Sequence, residues 1–307
     1  MDSIALKTYA KINLALDVTG VREDGYHLVR MVMQSVDLYD EMRVRLVDHN
    51  VQPEPVALKC DKYYVPRDSR NTAVKAAEAV MKTCQGAFGG SGVRIDIKKN
   101  IPVSAGLAGG SSNAAGVIVA LNSLLGLGMT LDEMCGIGAG IGTDIPFCIM
   151  TLAADPKWNI PGGSTCALAE GIGEVLTPVR SVNAWAVLAK PKLSISTPLV
   201  YKALDSLDSY SHPDVDSVVH GLFEGNLQLV QKGMGNVFEN VTLVEHPEVA
   251  ELKQTMLRYN DTMTLMSGTG PTVYSLFGSK RKAANTYYQL SKELKESGAS
   301  VFMAAAL

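Results

Sequence analysis

The sequence predicts an α+β protein of two domains, and three observations carry that reading. The chain has 307 residues, more than one small core requires and suited to two domains of ordinary size. Near the amino terminus polar and apolar residues alternate as in strands, whereas after residue 111 apolar residues recur at helical spacing. Beyond residue 180 the order is strand, several helices, two strands, a helix and a last strand, which is that of a split βαβ sandwich. Residues 1–180 and 181–307 are therefore expected to form separate domains.

Residues 4–18 alternate cleanly. Ala10, Ile12, Leu14, Leu16 and Val18 share one face, and Lys11, Asn13 and Asp17 share the other, so an otherwise half-buried strand is expected whose polar face is either simply in water or sets Lys11 beside a carboxylate in a site. Asp24 and Gly25 supply a turn, and the segment from Tyr26 continues as strand. Residues 69–84 carry a helical stripe of Val74, Ala77, Val80 and Met81, and "GVRIDIKK" alternates again. A helix over about 111–125 follows, with Val117, Ile118, Leu121, Leu124 and Leu125 facing the core. A second is expected over 131–139. Residues 153–164, rich in turn formers, read as a loop. After "AWAVLAK" (184–190) helices are expected near 198–206, 214–221, 225–236 and 248–258. Strands over 263–267 and 272–277, a helix over 280–297 and a strand over 299–305 complete the chain.

Composition narrows the function classes. Hydrophobic residues at 47%, charged residues at 19% and a net charge of −3 give no polycationic surface for nucleic acid or acidic membranes. No run of 18 apolar residues suggests a membrane span, and the first residues lack a signal-peptide core, so a cytoplasmic protein is expected. Five scattered cysteines without a C-x-x-C motif fit reduced thiols rather than disulfides or zinc. Cys148, inside an apolar run, reads as a small buried hydrophobe.

Chemistry concentrates in a few segments. "IPVSAGLAGGSSNAAG" (101–116) places Gly106, Gly109 and Gly110 directly before a helix, with Ser111, Ser112 and Asn113 at its start. Glycines permit close approach of a phosphate chain, and a helix N-terminus offers unpaired N–H groups and a favourable dipole. Ser and Asn are equally ordinary helix caps, so composition alone supports a capped turn as well as a phosphate cradle. The segment is neither a Walker A loop nor a G-x-G-x-x-G fingerprint. Lys11 and Asn13 point the same way from the first strand. Asp144, between a Gly-Thr turn and a Pro-Phe step, reads as a turn-capping carboxylate or a loop carboxylate of restricted geometry. "SGTGPT" (267–272) reads as a β-turn or as a second close-approach loop for an anion.

Taken together these segments resemble the kinase superfamily named for galactokinase, homoserine kinase, mevalonate kinase and phosphomevalonate kinase. The resemblance rests on the phosphate-loop pattern from Pro102 to Ser112 and on the "SGTGP" turn. "AKINLAL", "REDGYHLV", "GTDIPF" and "AEGIGE", in that order along nearly the whole chain, point within it to the branch whose acceptor is a cytidine-diphosphate derivative of methylerythritol. The resemblance implies a ribosomal-S5-domain-2-like α/β domain followed by a ferredoxin-like α+β domain. It further implies ATP-dependent phosphorylation of the acceptor's C2 hydroxyl, giving the 2-phosphate and ADP, in the non-mevalonate route to isoprenoid precursors.

Roles carry over by position. Asp144 matches the catalytic base, and Lys11 matches the lysine that stabilises this carboxylate and the forming alkoxide. ATP would be held by Pro102, Val103, Ser104, Ala105, Gly106, Leu107, Ala108, Gly109, Gly110, Ser111 and Ser112, with Lys99 and Asn71 nearby. Asn13, Thr269 and Gly270 would meet the acceptor. Tyr26 and His27 match the pair that reads cytosine, and Tyr201 matches the aromatic on its other face. Mg²⁺ would be carried mainly by the ATP phosphates with Ser112, no dedicated metal ligand set being visible. A monomer or weak homodimer is expected. Two departures stand out. Ala108 occupies a position where many members have Gly, tolerable with a negative φ, and residues 151–162 look like extra sequence. Trp158 within them would cover the site or pad a surface loop.

Overall fold

The computed structural model describes residues 3–48, 50, 52, 54–260 and 262–307. Two compact units emerge, and neither is one continuous segment. The first takes residues up to Ala10, Tyr39–Ile101 and Ala108–Thr165; the second takes Lys11–Leu38, Pro102–Leu107 and Cys166–Leu307. Strands β1 (Ser3–Val21) and β2 (His27–Asp48) each contribute one part to each unit.

In the first unit β3 (Val56–Cys60) runs parallel to β4 (Ser91–Lys98), which pairs antiparallel with the second half of β2, Glu41 opposite Lys98. Four helices accompany this sheet: α1 (Thr72–Thr83), α2 (Gly109–Leu124), α3 (Leu131–Ala139) and α4 (Ile145–Ala153). Asn71 caps α1 by accepting from the Ala73 amide at 2.9 Å, and Thr130 with Glu133 forms a capping box at α3. Val74, Val80, Val93, Ile95, Val117, Ile118, Leu121 and Ile149 pack into one core. Small residues let α2 sit close to the sheet. A Cβ on Gly116 would lie 2.3 Å from Met42 Cε and 2.5 Å from Thr8 Cγ2.

One expectation is corrected here. Residues 145–153 form a helix that the turn-rich reading of the neighbourhood did not anticipate. Every residue of α4 is buried, so no polar stripe betrays its period. Thr151–Ala153 close that helix rather than begin an inserted loop. Trp158, in a single 3₁₀ turn, packs its ring against the unit's core and so pads this unit.

In the second unit a four-stranded antiparallel sheet has the order β11 (Ser300–Ala305), β7 (Trp185–Lys190), β10 (Val273–Phe277), β9 (Thr264–Met266). Helices α5 (Thr197–Leu204), α6 (Val215–Glu224), α7 (Leu227–Gly233), α8 (Glu239–Glu245), α9 (Pro247–Leu257) and α10 (Lys280–Glu293) complete the split βαβ arrangement expected from the element order. The remainder of β1 and β2 pairs with short partners. Of these, β8 (Gly235–Asn236) lies parallel to Ala15–Leu16, and β5 (Cys166–Glu170) lies beside Met31–Gln34 and beside β6 (Val175–Pro178). Among the described residues no helix is long and apolar enough to cross a membrane.

The polar face of β1 is a second correction. Lys11 is 4% exposed and Asn13 0%, so this stretch is buried on both faces. Alternation expressed two chemistries there, not a wet side and a dry side.

Candidate active site

The glycine-rich segment adopts a backbone that composition left undecided. Ser104, Gly106 and Ala108 have φ of +50°, +71° and +54°, while Ala105 and Leu107 between them do not enter the left-handed region. Alternation of this kind is the backbone pattern that turns successive N–H groups toward an anion in known nests. α2 then starts at Gly109 with Ala108 at the N-cap, and no side chain caps it. Ser111 and Ser112 therefore lie inside the first turn and Asn113 just beyond it, and none of them caps the helix. Ala108 departs from the expected negative φ. Its methyl is held in a left-handed conformation that glycine adopts without strain.

Gly106 has a second, independent reason to be glycine. A Cβ there would lie 2.1 Å from the Ser267 carbonyl oxygen and 3.0 Å from that of Gly270, and Ser267 Oγ donates to the Gly106 carbonyl at 2.9 Å. The 267–272 turn thus packs backbone to backbone on the first half of the loop. It also reaches β1, because the Gly268 amide donates to Asn13 Oδ1 at 3.0 Å. The same oxygen accepts from Lys11 Nζ at 2.7 Å, so Asn13 fixes the ammonium. Tyr274 pins the strand at this point by donating to the Asn13 carbonyl at 2.7 Å; burial pushes its phenol well above the ordinary range, so it stays a donor. Thr269 bonds Thr197 through their hydroxyls at 3.0 Å.

Asp144 stands at the start of α4, in the first unit, and its carbonyl accepts the Cys148 amide at 3.2 Å. Its carboxylate makes no capping bond to the helix it opens. Lys99 is a buried cation whose ammonium pairs with the fully buried Asp40. Asp40 also accepts from the Asn100 and Ile101 amides at 2.7 and 2.8 Å and from Asn113 Nδ2 at 2.9 Å. One carboxylate therefore ties the segment after β4 to the N-terminal part of α2, and Lys99 Nζ lies 2.9 Å from where a Cβ on Gly109 would be. Asn71 caps α1, and its neighbour Thr72 donates to the Gly110 carbonyl at 2.7 Å.

Of the three aromatic positions, two come together. The rings of His27 and Tyr201 have centroids 4.5 Å apart, and Tyr201 packs edge-on against Phe238 at 4.7 Å. Tyr26 instead turns outward, 56% exposed, beside the Arg22 guanidinium at 5.6 Å. Its turn is held by Arg22 and Asp24, whose carboxyl lies below the ordinary range because Arg22 bonds it. Two residues that the sequence reading passed over belong to this description. Asp205 lies 2.7 Å from His27 Nε2, and Asp40 supports the loop. Nothing local marks either one, since each acts across a long stretch of chain.

Among the described residues no group of three or more His, Cys, Asp or Glu is arranged to hold a metal ion.

Comparison with known proteins finds relatives over nearly the whole chain. Residues 71–151 match the GHMP kinases N terminal domain and residues 218–296 the GHMP kinases C terminal domain. The 4-diphosphocytidyl-2-C-methyl-D-erythritol kinase of Alkaliphilus oremlandii is 43% identical over 299 residues, covering 97% of this chain and 96% of its own. That of Clostridium beijerinckii is 40% identical, with 95% and 97% covered. A crystal structure of 4-(cytidine 5'-diphospho)-2C-methyl-D-erythritol kinase superposes with a TM-score of 0.75 at 28% identity over 99% of this chain and 100% of that one. A homoserine kinase from Cytophaga hutchinsonii shares the fold, with a TM-score of 0.73 at 17% identity over 100% and 95%. On the strength of full-length identity at this level, the chain belongs to the 4-diphosphocytidyl-2-C-methyl-D-erythritol kinase family of the GHMP kinases.

Proposed function

We propose that the chain transfers the γ-phosphoryl group of ATP to the C2 hydroxyl of 4-diphosphocytidyl-2-C-methyl-D-erythritol, giving the 2-phosphate and ADP, in the non-mevalonate isoprenoid route. The observation that supports it most is the start of α2. A helix N-terminus with no side-chain cap follows a backbone of alternating handedness, which suits a phosphate chain and leaves the N–H groups for it. Residues 102–112 would hold ATP, with Asn71 and Lys99 beneath and beside them.

The roles follow from the donor and acceptor chemistry. Asp144 takes the proton of the C2 hydroxyl, and that oxygen attacks the γ-phosphorus while the bond to the β-γ bridging oxygen breaks and ADP leaves. Lys11, held by Asn13, supplies positive charge to the developing alkoxide and to the carboxylate. Positioning and charge stabilisation supply most of the rate in phosphoryl transfer, so few groups suffice. Mg²⁺ would be carried mainly by the ATP phosphates, and the Ser112 hydroxyl, buried in the first turn of α2, is the side-chain oxygen that would meet it. Tyr26, His27 and Tyr201 take the cytosine ring, and Thr269 and Gly270 meet the acceptor. We place the reaction in the cytoplasm, in keeping with five cysteines in thiol form, with the chain as a monomer or weak homodimer. We also retain 1–180 and 181–307 as the two domains of sequence.

The test is direct. Purified chain given the acceptor and Mg-ATP releases ADP in step with acceptor phosphorylation, and Asp144→Asn lowers kcat by at least about 100-fold while ATP still protects the fold. Turnover within a few-fold of wild type would remove Asp144 from the role of base. Absence of ADP release by folded wild type would remove the activity itself.

A further inference from the structure

We infer that Asp205 sets which pyrimidine the chain accepts, by holding His27 in the single tautomer able to receive a hydrogen bond from an amino group; this rests on the reading of His27 as the side chain that meets the base. His27 Nε2 faces Asp205 Oδ1 at 2.7 Å. A carboxylate can only accept, so the neutral ring carries its proton on Nε2 and a lone pair on Nδ1. Among the described residues no group bonds Nδ1, and the His27 side chain is 15% exposed, which leaves that edge for a ligand.

The ring is held twice, and both holds come from one turn of helix. The Tyr201 ring lies tilted 43° against it with centroids 4.5 Å apart, and Asp205, at the C-cap of α5, lies one turn further on with its amide bonded to the Tyr201 carbonyl at 3.0 Å. Residues four apart share a helix face. Turning the imidazole over would break the Asp205 bond and disturb the ring contact. Cytosine offers a 4-amino group where uracil offers a 4-carbonyl. Against the Nδ1 lone pair the amino group donates, whereas a carbonyl sets acceptor against acceptor and leaves both unpaired. The substrate class is an aminopyrimidine nucleotide. Asp205 is a positioning residue, since it touches the ring of His27 and not the base.

The experiment uses the full chain with Mg-ATP and two acceptors that differ only in carrying cytidine or uridine diphosphate. Wild type prefers the cytidine form in kcat/KM. Asp205→Ala shrinks that preference roughly three- to ten-fold, the value of one hydrogen bond between uncharged partners, through a higher KM for the cytidine form and not through kcat. His27→Ala abolishes the preference, and adding Asp205→Ala to it changes the ratio less than about two-fold, as expected for a residue acting through the imidazole. If Asp205→Ala keeps the wild-type ratio while His27→Ala collapses it, the role of Asp205 is wrong and the reading of His27 stands. A ratio that survives His27→Ala overturns that reading as well. An equal loss from Asp205→Ala with and without His27 would show that Asp205 acts by another route and overturns the inference. Asp205 is half-exposed, and a melting midpoint near wild type accompanies each measurement.

Discussion

At Ala108 a single methyl group sits where the backbone asks for none. A left-handed φ of +54° costs a non-glycine residue roughly 1–2 kcal/mol, and glycine would instead lose about 0.5–1 kcal/mol to the greater freedom of the unfolded chain. Ala108→Gly is therefore expected to stabilise the chain by about 0.5 kcal/mol, and Ala108→Val, with branching at Cβ, to destabilise it by more than about 1 kcal/mol. Denaturant midpoints at constant m-value measure both. A destabilised glycine variant would show that the methyl contributes packing that outweighs its strain. This residue also shows a limit of reading sequence. Alanine at this position is compatible with either sign of φ, and only the chain around it, with Ser104 and Gly106 also left-handed, decides which. Lys11 and Asn13 taught the converse. Their spacing placed them together correctly, but Asn13 is held by the Gly268 amide of the 267–272 turn, a partner more than 200 residues away.

Most elements with a polar face were legible, and so were the largely buried α2 and the buried β10. α3, with its Thr130–Glu133 box, matches its expected span, and α1, α9, α10 and the last strand lie within a few residues of theirs. α4 was missed because all its residues are buried, and β8 because two residues carry no period. Asp40 belongs at this scale, since it joins β2, β4 and α2 through four donors. A carboxylate in "LYDE" has no sequence signature of burial, so its part in the site could not be read. Asp40→Asn keeps the shape but leaves the Lys99 ammonium in the interior without its counter-charge. A cost of about 3–5 kcal/mol is expected, together with weaker ATP binding, because the new NH2 keeps no acceptor for Asn113 while the amide oxygen still holds the Asn100 and Ile101 amides. Urea unfolding and nucleotide titration check the two effects. Full stability in the variant would mean that Lys99 reaches water when Asp40 is gone.

For the whole molecule, stability and ligand binding share one ledger. Burial pushes the Cys135 thiol up to about 12 and the Cys166 thiol higher still, so neither is a thiolate at pH 8 while folded. A raised pKa makes the proton harder to remove, and alkylation must wait for an opening that returns each sulfur to water. Cys166, 0% exposed at the start of β5, then reports how often that opening occurs. A ligand that binds only the folded state lowers the opened population by the factor 1 + [L]/Kd, about 100-fold or 2.7 kcal/mol at 100 times Kd. A non-hydrolysable Mg-ATP analogue at that ratio is thus expected to slow iodoacetamide modification of Cys166 about 100-fold at pH 8, read by mass spectrometry. Asp144→Asn should show the same protection, because its missing carboxylate serves the acceptor hydroxyl and not the nucleotide. Slowing of less than about two-fold in wild type would mean that Cys166 opens locally, in a fluctuation the nucleotide does not suppress. Protection in wild type but not in Asp144→Asn would assign Asp144 to ATP binding and remove it from proton transfer.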